Sequence, residues 1–135
     1  MGLGTSPAAA PVRRARLGMM RVMARLHDVV FDSGHPASIA RFWASALDDY
    51  EVAPYDATEL ARLQSQGISD PEDDPNVLVQ PAHGGRPRIF FQLVPESKVV
   101  KNRVHLDLRC ESVDAELTRL VRLGAQLVSR HDGHW

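Results

Sequence analysis

Two histidines stand in matching surroundings. His27 is second in the segment LHDVVFD and His105 is second in VHLDLR, 78 residues further on. A neutral imidazole ligates borderline divalent metals, and near neutral pH it also exchanges protons. Either chemistry would be open to such a pair if it faced a common site, and so would plain hydrogen bonding within the fold. The remaining reactive groups offer less. Cys110 is the single cysteine, which excludes an internal disulfide framework and a cysteine-rich zinc site. No base is placed beside it to activate its thiol. The chain carries no Gly-rich phosphate loop and no Gly-x-Ser-x-Gly nucleophile elbow. The run Asp70-Pro71-Glu72-Asp73-Asp74-Pro75 lacks the alternating ligands and the glycine of a calcium loop, so it reads as an exposed acidic loop. His131 and His134 read as exposed.

The elements that must position these groups follow from periodicity. Leu26 to Asp32 reads as a strand from its β-branched and aromatic content. Ser33-Gly34-His35-Pro36 is a turn that leads into a helix. Ile39, Phe42, Trp43, Ala46 and Leu47 recur at helical spacing, which predicts a helix over residues 36–47. Phe42 and Trp43 then belong to the core. A weak strand over 50–55 and a short helix over 57–66 follow. Strands are expected over 77–80 and 89–94, joined by the loop at residues 82–87. Val104 to Arg109 alternates, with Val104, Leu106 and Leu108 on one face and His105, Asp107 and Arg109 on the other. Ser112 caps a helix whose apolar face is Val113, Leu117, Leu120 and Val121, and Gly124 ends it. A last strand begins over 126–129.

Composition bounds the rest. With 135 residues, 44% hydrophobic and 24% charged, the chain suits one globular domain. Its net charge of -1 argues against strong attraction to nucleic acid or to an anionic membrane. No apolar run reaches the roughly 18 residues that a membrane helix needs. The charge is uneven. Residues 1–25 hold five arginines and no acid, and read as a disordered basic leader, or as translation assigned upstream of a start at Met19, Met20 or Met23. Gly2 with Ser6 also satisfies the loose myristoylation pattern. A cytoplasmic protein is expected.

An internal repeat links the two histidines. A shift of 78 residues lays His27 on His105, Ile39 on Leu117 and Arg41 on Arg119. Each copy is a strand, a turn and an amphipathic helix. Two such units can pair round a concave face, with helix-side residues such as Leu106 and Leu108 forming the cores. The opposite faces line a cup in which His27 and His105 are equivalent. Gln92 shares a face with Phe90 and Val94. Phe31 and Phe90 are expected to form an apolar wall of the cup, suited to a small organic molecule. Asp107 and Arg109, beside His105, complete the ligand-binding candidates.

The segments LHDVVFDSGHPASIARFWASAL and IFFQLVPESKVVKNRVHLDLRCESVDAELTRLVRLGAQLVSRHDGHW, in this order, resemble the vicinal oxygen chelate superfamily, and in particular its glyoxalase-like and bleomycin-resistance-like domains. The resemblance implies an α+β fold of paired β-α-β-β-β modules, the first complete and the second truncated at its C-terminus. Residues 26–135 would form a single domain, with module one over 26–95 and a partial module two over 103–135. In metal-dependent members the ligands lie on the first and last strands of each module. Carried over by position, they would be His27, Gln92 and His105, with a fourth, usually a glutamate, on a strand beyond Trp135. Two imidazoles and an amide oxygen suit a divalent ion such as zinc, nickel, manganese or iron.

The resemblance leaves several functions open. One is metal-dependent lyase, isomerase or dioxygenase chemistry. Another is metal-free binding of a small molecule, of the antibiotic-sequestering type. A third is a remnant that performs neither. A homodimer is expected in each case, and no catalytic residue is assigned.

Overall fold

The computed structural model describes residues 24–130. Almost all of the expected basic leader, the Gly2 pattern, the alternative starts, His131 and His134 lie outside the described residues.

The first module forms as a β-α-β-β-β unit. Strand β1 (Asp28–Ser33) leads into helix α1 (Pro36–Ala46), and β2 (Tyr50–Val52) follows. Helix α2 (Ala57–Ser65) and a 3-10 turn (Pro71–Asp73) precede β3 (Asn76–Pro81) and β4 (Arg88–Leu93). The sheet order is β1-β4-β3-β2. β1 and β4 run parallel, while β4 with β3 and β3 with β2 run antiparallel. The order explains why β1 needs α1 as its crossover: a parallel partner cannot be reached by a tight turn. The second strand was expected to reach residue 55 but pairs only to Val52. Ala53 N–H still bonds Leu78 O at 2.8 Å, and Pro54 then has no N–H to continue the ladder.

The period of two divides the sheet into two faces. Phe31, Val77, Val79, Ile89 and Phe91 point toward α1. Helix α1 meets them with Ala37 and Ala40, whose small side chains let its backbone approach, and with Ile39 and Trp43 at the margin. Phe31 and Phe91 stack with ring centroids 5.8 Å apart. Such a pair adds about 0.5–1.5 kcal/mol beyond its buried area. Pro36 opens α1, with the Nδ1 of His35 accepting from Ser38 N–H at 3.4 Å.

The second half departs from expectation. Residues 104–109 and 126–129 form no strand. Their alternation is intact, but a strand exists only as a ladder, and the sheet of the described residues is built from β1, β4, β3 and β2 alone. Leu106 and Leu108 therefore do not build a second core: they are 38% and 42% exposed. Helix α3 (Val113–Arg122) does form where expected, capped by Ser112 Oγ accepting from Ala115 N–H at 3.4 Å. Gly124 ends it at φ +108°, a conformation that favours glycine. Arg119 ties α3 to the first module by donating to Ser45 O and Ala46 O, at the C-terminal end of α1 where carbonyls lack helical partners.

Candidate functional site

The face of the sheet that turns away from α1 carries a different set of residues. Asp28, Val30 and Asp32 of β1 stand beside Arg88, Phe90 and Gln92 of β4. Leu78 of β3 stands beside Phe90. Arg88 is fixed from two sides. Its Nε and Nη2 donate to the two oxygens of Asp28 at 2.8 and 2.9 Å. Its guanidinium also lies over the Phe90 ring, 5.3 Å from the centroid. The hydrogen bonds from Arg88 hold the Asp28 carboxyl far below the ordinary carboxylate range, against the desolvation that opposes them.

A wall rises over this face from the connection between β2 and β3. Asp56 starts α2 by accepting from Thr58 and Glu59 N–H. The helix carries Arg62, which donates to Glu59 at 2.8 Å and to Asp74 Oδ2 at 2.9 Å. Asp74 is 2% exposed. Its Oδ2 also accepts from Tyr55 Oη at 3.0 Å, and its Oδ1 accepts from Asn76 N–H at 2.9 Å. A buried carboxylate is tolerable only when paired and hydrogen-bonded in this way. Burial, and then the bond to Asp74, push the Tyr55 hydroxyl above its usual range.

Between wall and sheet lies a cavity of about 430 Å³. Ala53, Pro54, Leu78 and Phe90 form its apolar part, and Tyr55, Glu59, Arg62, Asp74, Asn76 and Arg88 its polar part. Both guanidiniums are already paired with carboxylates, so the cavity presents little net charge. Its volume lies in the range of small-molecule sites.

The residues singled out from sequence are dispersed. Phe90 lines this cavity, but Phe31 does not: it stacks on Phe91 in the core. The two rings were expected on one face and lie on opposite faces. Phe31 has the register of Phe91, one residue out of step with Phe90, and one residue reverses the face. His27 stands just before β1, its Nδ1 2.7 Å from Arg86 Nη1 and 2.9 Å from Asp28 Oδ1. Gln92 is on the open face but at the far end of β4, level with Asp32. His105 and Asp107 border a separate cavity of about 580 Å³ beside Phe31, Ile39 and Trp43. Asp107 and Arg109 also border one of about 520 Å³ near the end of α1, with Glu116 and Arg119.

These placements bear on whether His27, Gln92 and His105 fit one ion. His27 lies five positions before Asp32, the partner of Gln92, which is about 16 Å at the usual rise of a strand. His105 borders the helix side of the sheet, whereas Gln92 is on the open side. Ligands held at about 2 Å from one ion cannot be spread in this way. Among the described residues no group of three or more His, Cys, Asp and Glu side chains converges as a metal would require. The donors implied by resemblance therefore do not fit a metal.

Tyr55, Arg62, Asp74 and Arg88 were not identified from sequence. Arg88 was in reach, since it shares the alternation of Phe90 and Gln92. Asp74 was not: its acidic run reads as solvated, and only the tertiary contact with Arg62 and Tyr55 buries it. Glu72 of the same run is likewise held by both Nη groups of Arg41.

A family model described as a glyoxalase-like domain matches residues 28–135. Searches of curated proteins and of solved structures found no match for this chain. Among the described residues no helix is long and apolar enough to cross a membrane.

Proposed function

Since the chain belongs to the glyoxalase-like domain family, we propose that it is a metal-free binding protein for a small organic molecule, held in the cavity over Leu78 and Phe90. One observation carries this reading. The open face of the sheet offers a cavity of small-molecule size, with an aromatic ring on one side and ordered polar groups on the other. The expected metal donors, by contrast, stand at different ends and faces of the sheet. The fold alone hosts many activities, so the reading rests on this cavity and not on the family.

A planar, largely apolar molecule suits the site best. It would stack on Phe90, on the part of the ring that Arg88 leaves open. The apolar contact would supply most of the affinity, and the polar wall would fix orientation.

The test is a binding screen of small aromatic compounds by protein-observed NMR at pH 7.5, run once with a chelator and once with added zinc, nickel, manganese or iron(II). Binding that shifts the amides of Leu78 and Phe90, and that Phe90→Ala weakens at least tenfold, supports the reading. Binding that requires a divalent ion and is lost in His27→Ala would overturn it.

A further inference from the structure

We infer that Tyr55 sets the polarity of this cavity: its hydroxyl oxygen is the acceptor for an N–H or O–H of the ligand, so the site takes an uncharged planar molecule that bears a hydrogen-bond donor. This rests on the binding role proposed above and narrows it.

A tyrosine hydroxyl has one proton to give and lone pairs to receive. That proton points at Asp74 Oδ2, 3.0 Å away. The direction cannot be reversed, because a carboxylate only accepts, and the same oxygen already accepts from Arg62 Nη2 at 2.9 Å. The second oxygen of Asp74 is held by Asn76 N–H. Asp74 borders the cavity, but it is 2% exposed and three donors already occupy its two oxygens. Glu59 and Asn76 also border the cavity, Glu59 with one oxygen held by Arg62; within the Asp74 cluster, the acceptor left for a ligand is the Tyr55 oxygen. Burial keeps that hydroxyl protonated well beyond neutral pH, so it accepts as a neutral group.

The charge around the cavity points to an uncharged ligand. Arg62 answers Glu59 and Asp74. Arg88 answers Asp28 with two bonds. A ligand carboxylate would have to compete with these intramolecular partners, and a ligand cation would have to break them in the other sense. A neutral donor meets the Tyr55 oxygen without disturbing either pair.

Two ring systems of the same shape test this. Indole carries an N–H, and benzofuran has an oxygen in its place. The full chain is titrated with each, and the amide shifts of Leu78 and Phe90 are followed. Both should bind, and indole should bind about 3- to 10-fold more tightly, the worth of one neutral hydrogen bond. Tyr55→Phe should bring indole down to the level of benzofuran and leave benzofuran unchanged. Equal affinities in the unmodified chain, or an indole preference that survives in Tyr55→Phe, would overturn the role of Tyr55 while leaving the cavity reading intact. Binding of neither ring, or binding without shifts at Leu78 and Phe90, would overturn the cavity reading and the role of Tyr55 with it. The comparison in the unmodified chain needs no variant to fold.

Discussion

Asp28 and Arg88 face each other across the parallel pair β1 and β4, with both carboxylate oxygens engaged by the one guanidinium. The contact spans 60 residues of sequence. It fixes Arg88 above Phe90 and so shapes the floor of the cavity. Planar, two-bonded geometry of this kind is specific to arginine, and a lysine would not reproduce it.

This pair predicts an acid response. The folded Asp28 carboxyl releases its proton more readily than the unfolded one, because Arg88 stabilises its charged form. Its contribution to stability is therefore complete above the unfolded carboxylate pKa and is lost as pH falls below about 5. Glu72 beside Arg41 and Glu116 beside Arg119 are shifted in the same sense. Urea melts between pH 7 and pH 3 should show the midpoint falling, and Asp28→Asn should flatten that fall. An equal slope in the variant would show that Asp28 contributes nothing.

Tyr55 predicts an alkaline response of opposite sign. Its folded hydroxyl holds its proton more tightly than the unfolded one. The contribution is present below the unfolded tyrosine pKa and is lost as pH rises above about 10. In an ultraviolet titration the Tyr55 phenolate signal should emerge only with the loss of the fold. Tyr55→Phe should remove that step and leave the signal of Tyr50. A phenolate assigned to Tyr55 while the chain is still folded would contradict this.

Removal of the Asp74 carboxylate should be costly. Asp74→Ala leaves Arg62 Nη2, Tyr55 Oη and Asn76 N–H without their acceptor. We predict a loss of about 2–4 kcal/mol in chemical denaturation, somewhat below the range for a fully buried pair because Arg62 is a third exposed. A change below about 0.5 kcal/mol would mean that water replaces the carboxylate without penalty.

Neighbouring phenylalanines should behave differently. Phe91 is 2% exposed and lies in the core, so Phe91→Ala should cost about 3–5 kcal/mol. Phe90 lies on the open face, and Phe90→Ala should cost less than about 2 kcal/mol while removing ligand binding. Equal stability losses would contradict the assignment of faces.

Zinc, nickel, manganese or iron(II) should not stabilise the chain through His27 and His105. The melting temperature in each metal should change equally in the unmodified protein, His27→Ala and His105→Ala. A shift that vanishes in both variants would show that the two imidazoles do converge on an ion.

The sequence by itself determined the local elements of the first module and the helix that follows it at Val113–Arg122. The β-branched and aromatic content of 26–32 and 89–94, helical spacing through Ile39 and Trp43, the turn before Pro36 and the cap at Ser112 are all short-range signals, and each of these elements formed close to its expected bounds. Family membership was legible for the same reason, since the order of elements is written along the chain. The tertiary structure alone decided which residues meet. Register placed Phe31 in the core and Phe90 in the cavity, and a one-residue offset reverses a face without changing the pattern. Long-range pairing buried Asp74, which its acidic neighbours disguise as a solvated residue. The alternation of residues 104–109 could announce a strand but could not supply its ladder, because hydrogen-bond partners belong to other segments. For the same reason His27 and His105 are equivalent in the repeat and yet stand apart in space.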